Sequence, residues 1–337
     1  MRMSSWYKTE GPGSDVAVSS RIRLARNLKG LPFPARMTAE QRIELNNRVK
    51  DAILGSNTPF AKTLKYIDMR DVPETQKFAM VERHIISPEF ANKTEPTAII
   101  LSSDESISIM IGEEDHIRIQ VILSGLNLLK AYDIAEQIDT LLHDTLHFAF
   151  DSKLGFLTEC PTNLGTGLRA SVMLHLPALE WGGEIEDLGS SISKIGFTVR
   201  GMYGEGSKSV ASLYQVSNQI TLGLSEKNAL DNLSIITNQL IEKEIESRNL
   251  LDKLEVENQS FRALGILQNA RILSSSEMMN LLSAVKLGKS MGILDIKASP
   301  MEILVEAQPF MLCGKYGILE PRDRDIYRAN MVRENLK

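Results

Sequence analysis

The sequence predicts an α+β protein with an all-helical C-terminal part, and three observations predict it. Up to residue 224, short apolar runs bounded by Gly, Pro and polar turns alternate with longer amphipathic stretches. From Ser225 the strand-like runs cease, no proline falls between Pro177 and Pro300, and Leu and Ile recur at helical spacing. At 337 residues the chain is longer than one ordinary core organises. The expected organisation is an N-terminal tether over 1–18, a mixed domain over 19–224 and a helical domain over 225–337.

The elements follow in order. Gly11-Pro12-Gly13 marks the tether as loop. Residues 16–24 alternate weakly and read as a strand with Arg21 and Arg23 on one face. Residues 38–57 read as an amphipathic helix, opened by a Thr38/Gln41 capping box, with Ile43, Val49, Ile53 and Leu54 as its stripe. Residues 62–70 read as a strand. Pro73 starts a helix through Val81, and Glu82-Arg83-His84 lies at its end, before Pro88. Residues 97–102 and 106–112 are strands around a turn, and an apolar segment runs on to Leu123. Residues 126–150 read as a long helix, 168–181 and 184–195 as helices, and 197–200 and 213–221 as strands. Between these last two, 201–209 is a glycine-rich, polar flap. Residues 232–257 show one continuous helical pattern, with shorter helices after it. Residues 322–329 alternate in charge sign, as a solvated helix face does.

Composition excludes several classes. A net charge of −5 gives no support for nucleic-acid binding. Two cysteines, Cys160 and Cys313, form no disulfide framework, and no signal peptide is visible. No apolar run approaches the ~20 residues of a membrane span, so a cytoplasmic protein is expected. His143 and His147 have metal-ligand spacing, but Asp144 stands where the usual Glu would follow the first His. Partly exposed helix histidines account for the pair, and no metal site is expected.

The densest chemistry lies in Cys160-Pro161-Thr162-Asn163-Leu164-Gly165-Thr166-Gly167-Leu168-Arg169. It reads as a strand end, a turn and a helix start. Pro161 removes a ladder donor, while Asn163, Gly165 and Gly167 let the backbone bend closely around something. Thr166 or Asn163 would cap the helix, whose free N–H groups favour an anion and a neighbouring thiolate. A plain strand-turn-helix with a buried cysteine accounts for the same residues.

Taken whole, the run resembles the cysteine loop of the phosphagen (guanidino) kinases, the family of creatine and arginine kinases. Gly112-Glu113-Glu114-Asp115-His116-Ile117-Arg118 is similar to that family's Asn-Glu-Glu-Asp-His-Leu-Arg. Arg200-Gly201-Met202-Tyr203-Gly204-Glu205 is similar to the Arg-Gly-x-x-Gly-Glu of arginine kinases. Upstream, Ser19-Ser20-Arg21-Ile22-Arg23 matches the family's Ser-x-Arg-x-Arg. The resemblance implies a mostly antiparallel sheet flanked by helices, and transfer of the ATP γ-phosphoryl group to a guanidinium nitrogen. A guanidinium has a pKa above ~12, so its lone pair must be released by holding it rigidly and drawing off a proton. By resemblance Glu114 and Glu205 do this, with Cys160 as a third anchor. The nucleotide, with Mg²⁺ bound through it, would meet Ser19, Ser20, Arg21, Ile22 and Arg23. It would also meet His84, Arg118, Arg169, Ala170, Ser171, Val172, Met173, Arg200, Gly201, Met202, Tyr203 and Gly204. Arg83 is added as a neighbour of substrate or nucleotide. Met173 stands where arginine kinases often carry His, which leaves the adenine contacts there open.

Members acting on free guanidines carry an N-terminal helical domain of about a hundred residues, whereas 18 residues precede Ser19 here. The appended helical part makes the chain similar to the bacterial protein-arginine kinases. Their Arg-Asp-x-x-Arg-Ala motif appears at 324–329 and implies a phosphoarginine pocket with Arg324, Asp325 and Arg328. The same resemblance implies a homodimer, a zinc-binding activator, and substrates in stress response: a heat-shock repressor and misfolded proteins marked for a Clp unfoldase/protease. A kinase for a free guanidine such as arginine is the alternative. A catalytically silent phosphoarginine adaptor is a third reading, disfavoured by the retained Glu114, Cys160, Glu205 and arginines.

Overall fold

Eight antiparallel strands form one sheet, in the order β2-β3-β4-β5-β1-β8-β10-β9. The structure is a computed structural model and describes residues 5–202, 209–317 and 320–337. The strands are β1 (Ala17–Arg26), β2 (Leu64–Asp68), β3 (Ala98–Ser102), β4 (Ile107–Ile111), β5 (Ile117–Ser124), β8 (Leu168–His175), β9 (Phe197–Gly201) and β10 (Leu213–Asn218). A two-stranded ribbon, β6 (Phe150–Asp151) with β7 (Gly155–Phe156), stands apart. Helices α1 (Ala39–Leu54), α2 (Glu74–Glu82), α3 (Pro88–Ala91), α4 (Leu128–Leu146), α5 (Pro177–Trp181) and α6 (Ile185–Ser193) punctuate the strands. The chain closes with α7 (Glu226–Leu250), α8 (Lys253–Asn269), α9 (Ser275–Ser290), α10 (Pro300–Glu306), α11 (Pro309–Tyr316) and α12 (Pro321–Asn335).

Side chains alternate across a strand, so register decides which residues share a face. Ile22 pairs with Val121 and Ala170, and Leu24 with Ile119 and Leu168. These residues, with Val172 and Leu174, form a fully buried core with α1 (Leu45, Val49, Ile53), α4 (Ala135, Ile138, Leu142) and α7 (Leu233, Ile236, Leu240). On the other face, among the described residues, the apolar clusters lie at its flanks. On one side α2 and α3 pack Met80 and Phe90 against Ile99 and Met110. On the other, Trp6 and Tyr7 join Ile122, Met173 and Leu213 beneath α9, α10 and α12. The stretch 225–337 therefore feeds two cores: α7 lies under the sheet, and α8–α12 build the second.

Several expectations need correction. Residues 168–175, expected to begin a helix, are strand β8; Leu168, Ala170, Val172 and Leu174 alternate into the core, and only Pro177 opens a short helix. The pattern over 232–257 is two helices, broken where the Asp252 carboxylate caps α8 by accepting from Leu254 N at 2.9 Å. Helix α4 stops at Leu146, and His147, at φ 50°, leaves the helix, so the His143/His147 face does not form. Among the described residues no cluster of His, Cys, Asp and Glu could hold a metal ion. The Thr38/Gln41 capping box is present in both directions, but Ile43 is exposed and Leu45 fills the stripe instead. Among the described residues no helix is long and apolar enough to cross a membrane.

Glu82 ties α2 to the C-terminal helices. Its carboxylate accepts from the Phe310 and Met311 backbone N–H groups, at 2.9 and 2.8 Å, where α11 starts. Burial pushes its pKa up to about 7, against those two bonds and the Arg328 and Arg324 charges, which pull it down. A carboxyl raised in the fold stabilises it fully below its unfolded pKa, and that contribution fades as pH rises through the folded value. The stability of the protein relative to its Glu82→Gln variant should therefore fall as pH rises from 4.5 to about 7. Urea denaturation across that range checks it.

Candidate active site

Between those flanks the sheet is paved with arginine. Arg23 lies opposite Arg169 on β8 and Gln120 on β5, while Arg118 lies opposite Ala25 on the next rung. Arg21 lies opposite Ser171, and Arg200 opposite Gln215, which itself faces Met173. Paired residues point to one face, so the register alone gathers Arg21, Arg23, Arg118, Arg169 and Arg200 on a single floor. Burial is the largest influence lowering the pKa of Arg21, Arg23 and Arg169, and neighbouring arginines add to it. Arg21 falls to about 10. The Nε groups of Arg23 and Arg169 are buried and have no hydrogen-bond partner. Crowded cations with unpaired donors fit a polyanion better than they fit each other.

The acidic rim lies beside this floor. Arg118 is 2.5 Å from buried Glu113 and 3.1 Å from half-exposed Glu114, and Asn163 Nδ2 is 3.5 Å from the same Glu114 oxygen. Cys160 Sγ is 3.0 Å from Thr162 Oγ1. Arg23, Glu114, Arg118, Cys160, Asn163 and Arg169 line one cleft of about 230 Å³.

The cysteine loop differs from its expected form. No helix follows it; a three-residue 3₁₀ turn, Pro161–Asn163, leads to β8. The helix N-terminus expected to favour an anion is therefore missing, and the arginine floor supplies the positive charge. The glycines are needed for contact with the protein's own backbone. At Gly165 (φ 110°) a Cβ would meet Thr221 O at 2.3 Å, and at Gly167 (φ 63°) Ala25 O at 2.6 Å.

Of the other candidates, Ser19, Ser171 and Met173 share the arginine face, with Met173 packed into the second core. The side chains of Ile22, Ala170 and Val172 lie on the opposite face inside the first core, as the period of two requires. Ser20 is buried and donates to Gly125 O at 2.9 Å. His84 (φ 61°) packs edge-on to Trp6 and is held neutral: burial, then Arg21, lowers its pKa to about 3. Arg83 points elsewhere, 3.0 Å from Glu105 and 3.2 Å from Met311 Sδ. Gly201 ends β9, and Met202 packs against the second core. Tyr203, Gly204 and Glu205 lie outside the described residues. At the C-terminal motif, Arg328 is buried, donating to Ala307 O and Leu273 O at 2.9 Å and pairing with Asp325. Among the described residues the Arg324 guanidinium makes no hydrogen bond or ion pair.

Sequence reasoning missed Gln215, whose Oε1 accepts from Arg21 Nη2 at 2.7 Å. It also missed Glu113, the buried partner of Arg118. A glutamine inside the strand run Leu213–Asn218 was the available signal for the first, and the doubled Glu113-Glu114 for the second.

A family model for the ATP:guanido phosphotransferase C-terminal catalytic domain matches residues 44–247. A second, for the protein-arginine kinase McsB C-terminal domain, matches 253–337. The protein-arginine kinase of Halothermothrix orenii is 46% identical over 99% of this chain and 97% of its own length. That of Caldanaerobacter subterraneus subsp. tengcongensis is 44% identical over 96% and 97%. The chain belongs to the protein-arginine kinase family. It is a phosphotransferase with a nitrogenous acceptor, and kinase membership implies ATP as the donor. The substrate-free duplicated taurocyamine kinase of Schistosoma mansoni shares the fold, with TM-score 0.61 and 25% identity over 82% of this chain and 42% of that one. Lombricine kinase does so with TM-score 0.60 and 23% identity over 72% of each.

Arg23→Met removes a half-buried cation from among cations while keeping much of its bulk. The variant should melt at a higher temperature than the parent without nucleotide, yet lose the stabilisation that ATP gives the parent. Thermal denaturation with and without Mg-ATP measures both.

Proposed function

We propose that this enzyme transfers the γ-phosphoryl group of Mg-ATP to arginine side chains of proteins. The observation that supports it most is the register-built arginine floor beside a rim holding Glu114 and Cys160. The triphosphate would lie on Arg21, Arg23, Arg118, Arg169 and Arg200, and the unpaired Nε donors of Arg23 and Arg169 suit its oxygens. Mg²⁺ would arrive bound to the nucleotide, neutralising its charge. A guanidinium at the rim would be gripped by Glu114 and Cys160; the family resemblance assigns Glu205 the same role. Glu114 takes an N–H proton, the freed nitrogen forms a bond to the γ-phosphorus, and the bond to ADP breaks. Arg118 touches Glu114 and belongs to the floor, so it adjoins both reactants.

The phosphoarginine site belongs to the same proposal. Arg324 would clamp the phosphoryl group, with Asp325 facing the nitrogen end and Arg328 bracing Asp325 from inside. The stress-response substrates, the Clp connection, the zinc-binding activator, the homodimer and the cytoplasmic location rest on the family resemblance.

Incubation with Mg-ATP and either an unfolded protein or free arginine, followed by assay of acid-labile phosphate, separates the readings. Label on protein alone supports the proposal, and label on free arginine alone favours the phosphagen-type alternative. Glu114→Gln keeps shape and loses the base, so turnover should fall at least ~100-fold while nucleotide binding persists. Near-normal turnover would remove Glu114 from this role.

A further inference from the structure

Three segments meet behind the acceptor rim, and one buried carboxylate joins them. Asp115 is fully buried. Its Oδ1 accepts from Asn27 Nδ2 at 2.6 Å and from Glu159 N at 2.8 Å. Asn27 also donates to Leu157 O at 2.9 Å and accepts from His116 N at 2.8 Å. The exit of β1, the 112–116 turn and the start of the cysteine loop are thereby one hydrogen-bonded unit. One residue along the chain from each end of the Asp115–Glu159 bond lie Glu114 and Cys160, the groups that line the cleft.

We propose that Asp115 is a positioning residue: its link to Glu159 sets the separation of Glu114 from Cys160 and so the seat of the guanidinium. This rests on the acceptor site proposed above. Stability alone does not account for the arrangement. Both donors converge on Oδ1, and Oδ2 is buried with no partner, which disfavours the fold where apolar packing would not. The far end of the loop is held independently. Arg26 donates to Thr166 O at 2.8 Å, and Thr221 Oγ1 to Thr162 O and Leu164 O at 3.0 and 2.7 Å. Loss of Asp115 therefore frees the Glu159 N–H and loosens the Cys160 end, where Asn27 to Leu157 O and Thr158 Oγ1 to Cys160 O remain, and leaves the far end unchanged.

The test uses the full chain in a Cys313→Ser background, where Cys160 is the single thiol. In Asp115→Ala, iodoacetamide should alkylate Cys160 several-fold faster. The KM for an arginine-containing acceptor should rise with little change in KM for ATP, and kcat/KM for the acceptor should fall about 10- to 100-fold. Asp115→Asn keeps an acceptor oxygen and should recover most of both. Glu159→Pro removes the donated N–H, leaves Asp115 in place and should reproduce the loss; it carries the test should Asp115→Ala not melt cooperatively. A folded Asp115→Ala with parental alkylation rate and acceptor KM overturns the proposal. So does an equal rise in both KM values. If the parent phosphorylates no arginine, the functional reading fails, and the alkylation rates still decide the clamp.

Discussion

The structure depends on tolerating crowded positive charge. Arg21, Arg23 and Arg169 are half-buried on one floor with Arg118, and the charge of neighbouring arginines lowers the pKa of each. The acids that meet this floor, Glu113 and Glu114, both answer to Arg118. Repulsion among the remainder must be held in place by something that does not move. The opposite face of the same strands supplies it: Ile22, Leu24, Ala170 and Val172 are buried against three helices. Each buried aliphatic side chain contributes roughly 1.5–3 kcal/mol, so a few rungs suffice to hold guanidinium groups together. Site and core are two faces of one set of residues.

Much of this was legible in the sequence, because a strand writes its two faces into alternate letters. Ser19-Ser20-Arg21-Ile22-Arg23 shows polar, buried and charged positions in the order the sheet uses them. The capping box at Thr38 was equally plain. What was hidden was pairing. Leu168-Arg169-Ala170-Ser171-Val172-Met173-Leu174 is rich in helix formers, and only its neighbours β1 and β10 make it a strand. The break before α8 did carry a local signal, since Asp252 precedes Glu255 at capping distance, but leucines on both sides concealed it. The cysteine loop was found by its letters and misjudged in its surroundings: its glycines fit against Thr221 and Ala25, segments remote in sequence, as well as against nearby Gly155.

The shared core at the end of the arginine face has a consequence for how such a protein can be taken apart. Trp6, Tyr7, Ile122, Met173 and Leu213 come from the catalytic part, and Met278, Leu282, Ile303, Leu304 and Val332 from the helical part, yet they form one apolar cluster. A cut after Leu250 would strip the roof from Ile122 and Met173, beside Arg21 and Ser19. It would also leave the last five helices with an uncovered flank. Although two family models divide the chain, the helical part is not a removable accessory. Its residues cover one end of the arginine face, so exchanging it between relatives would need matching changes at the first turn of the chain and along β5, β8 and β10.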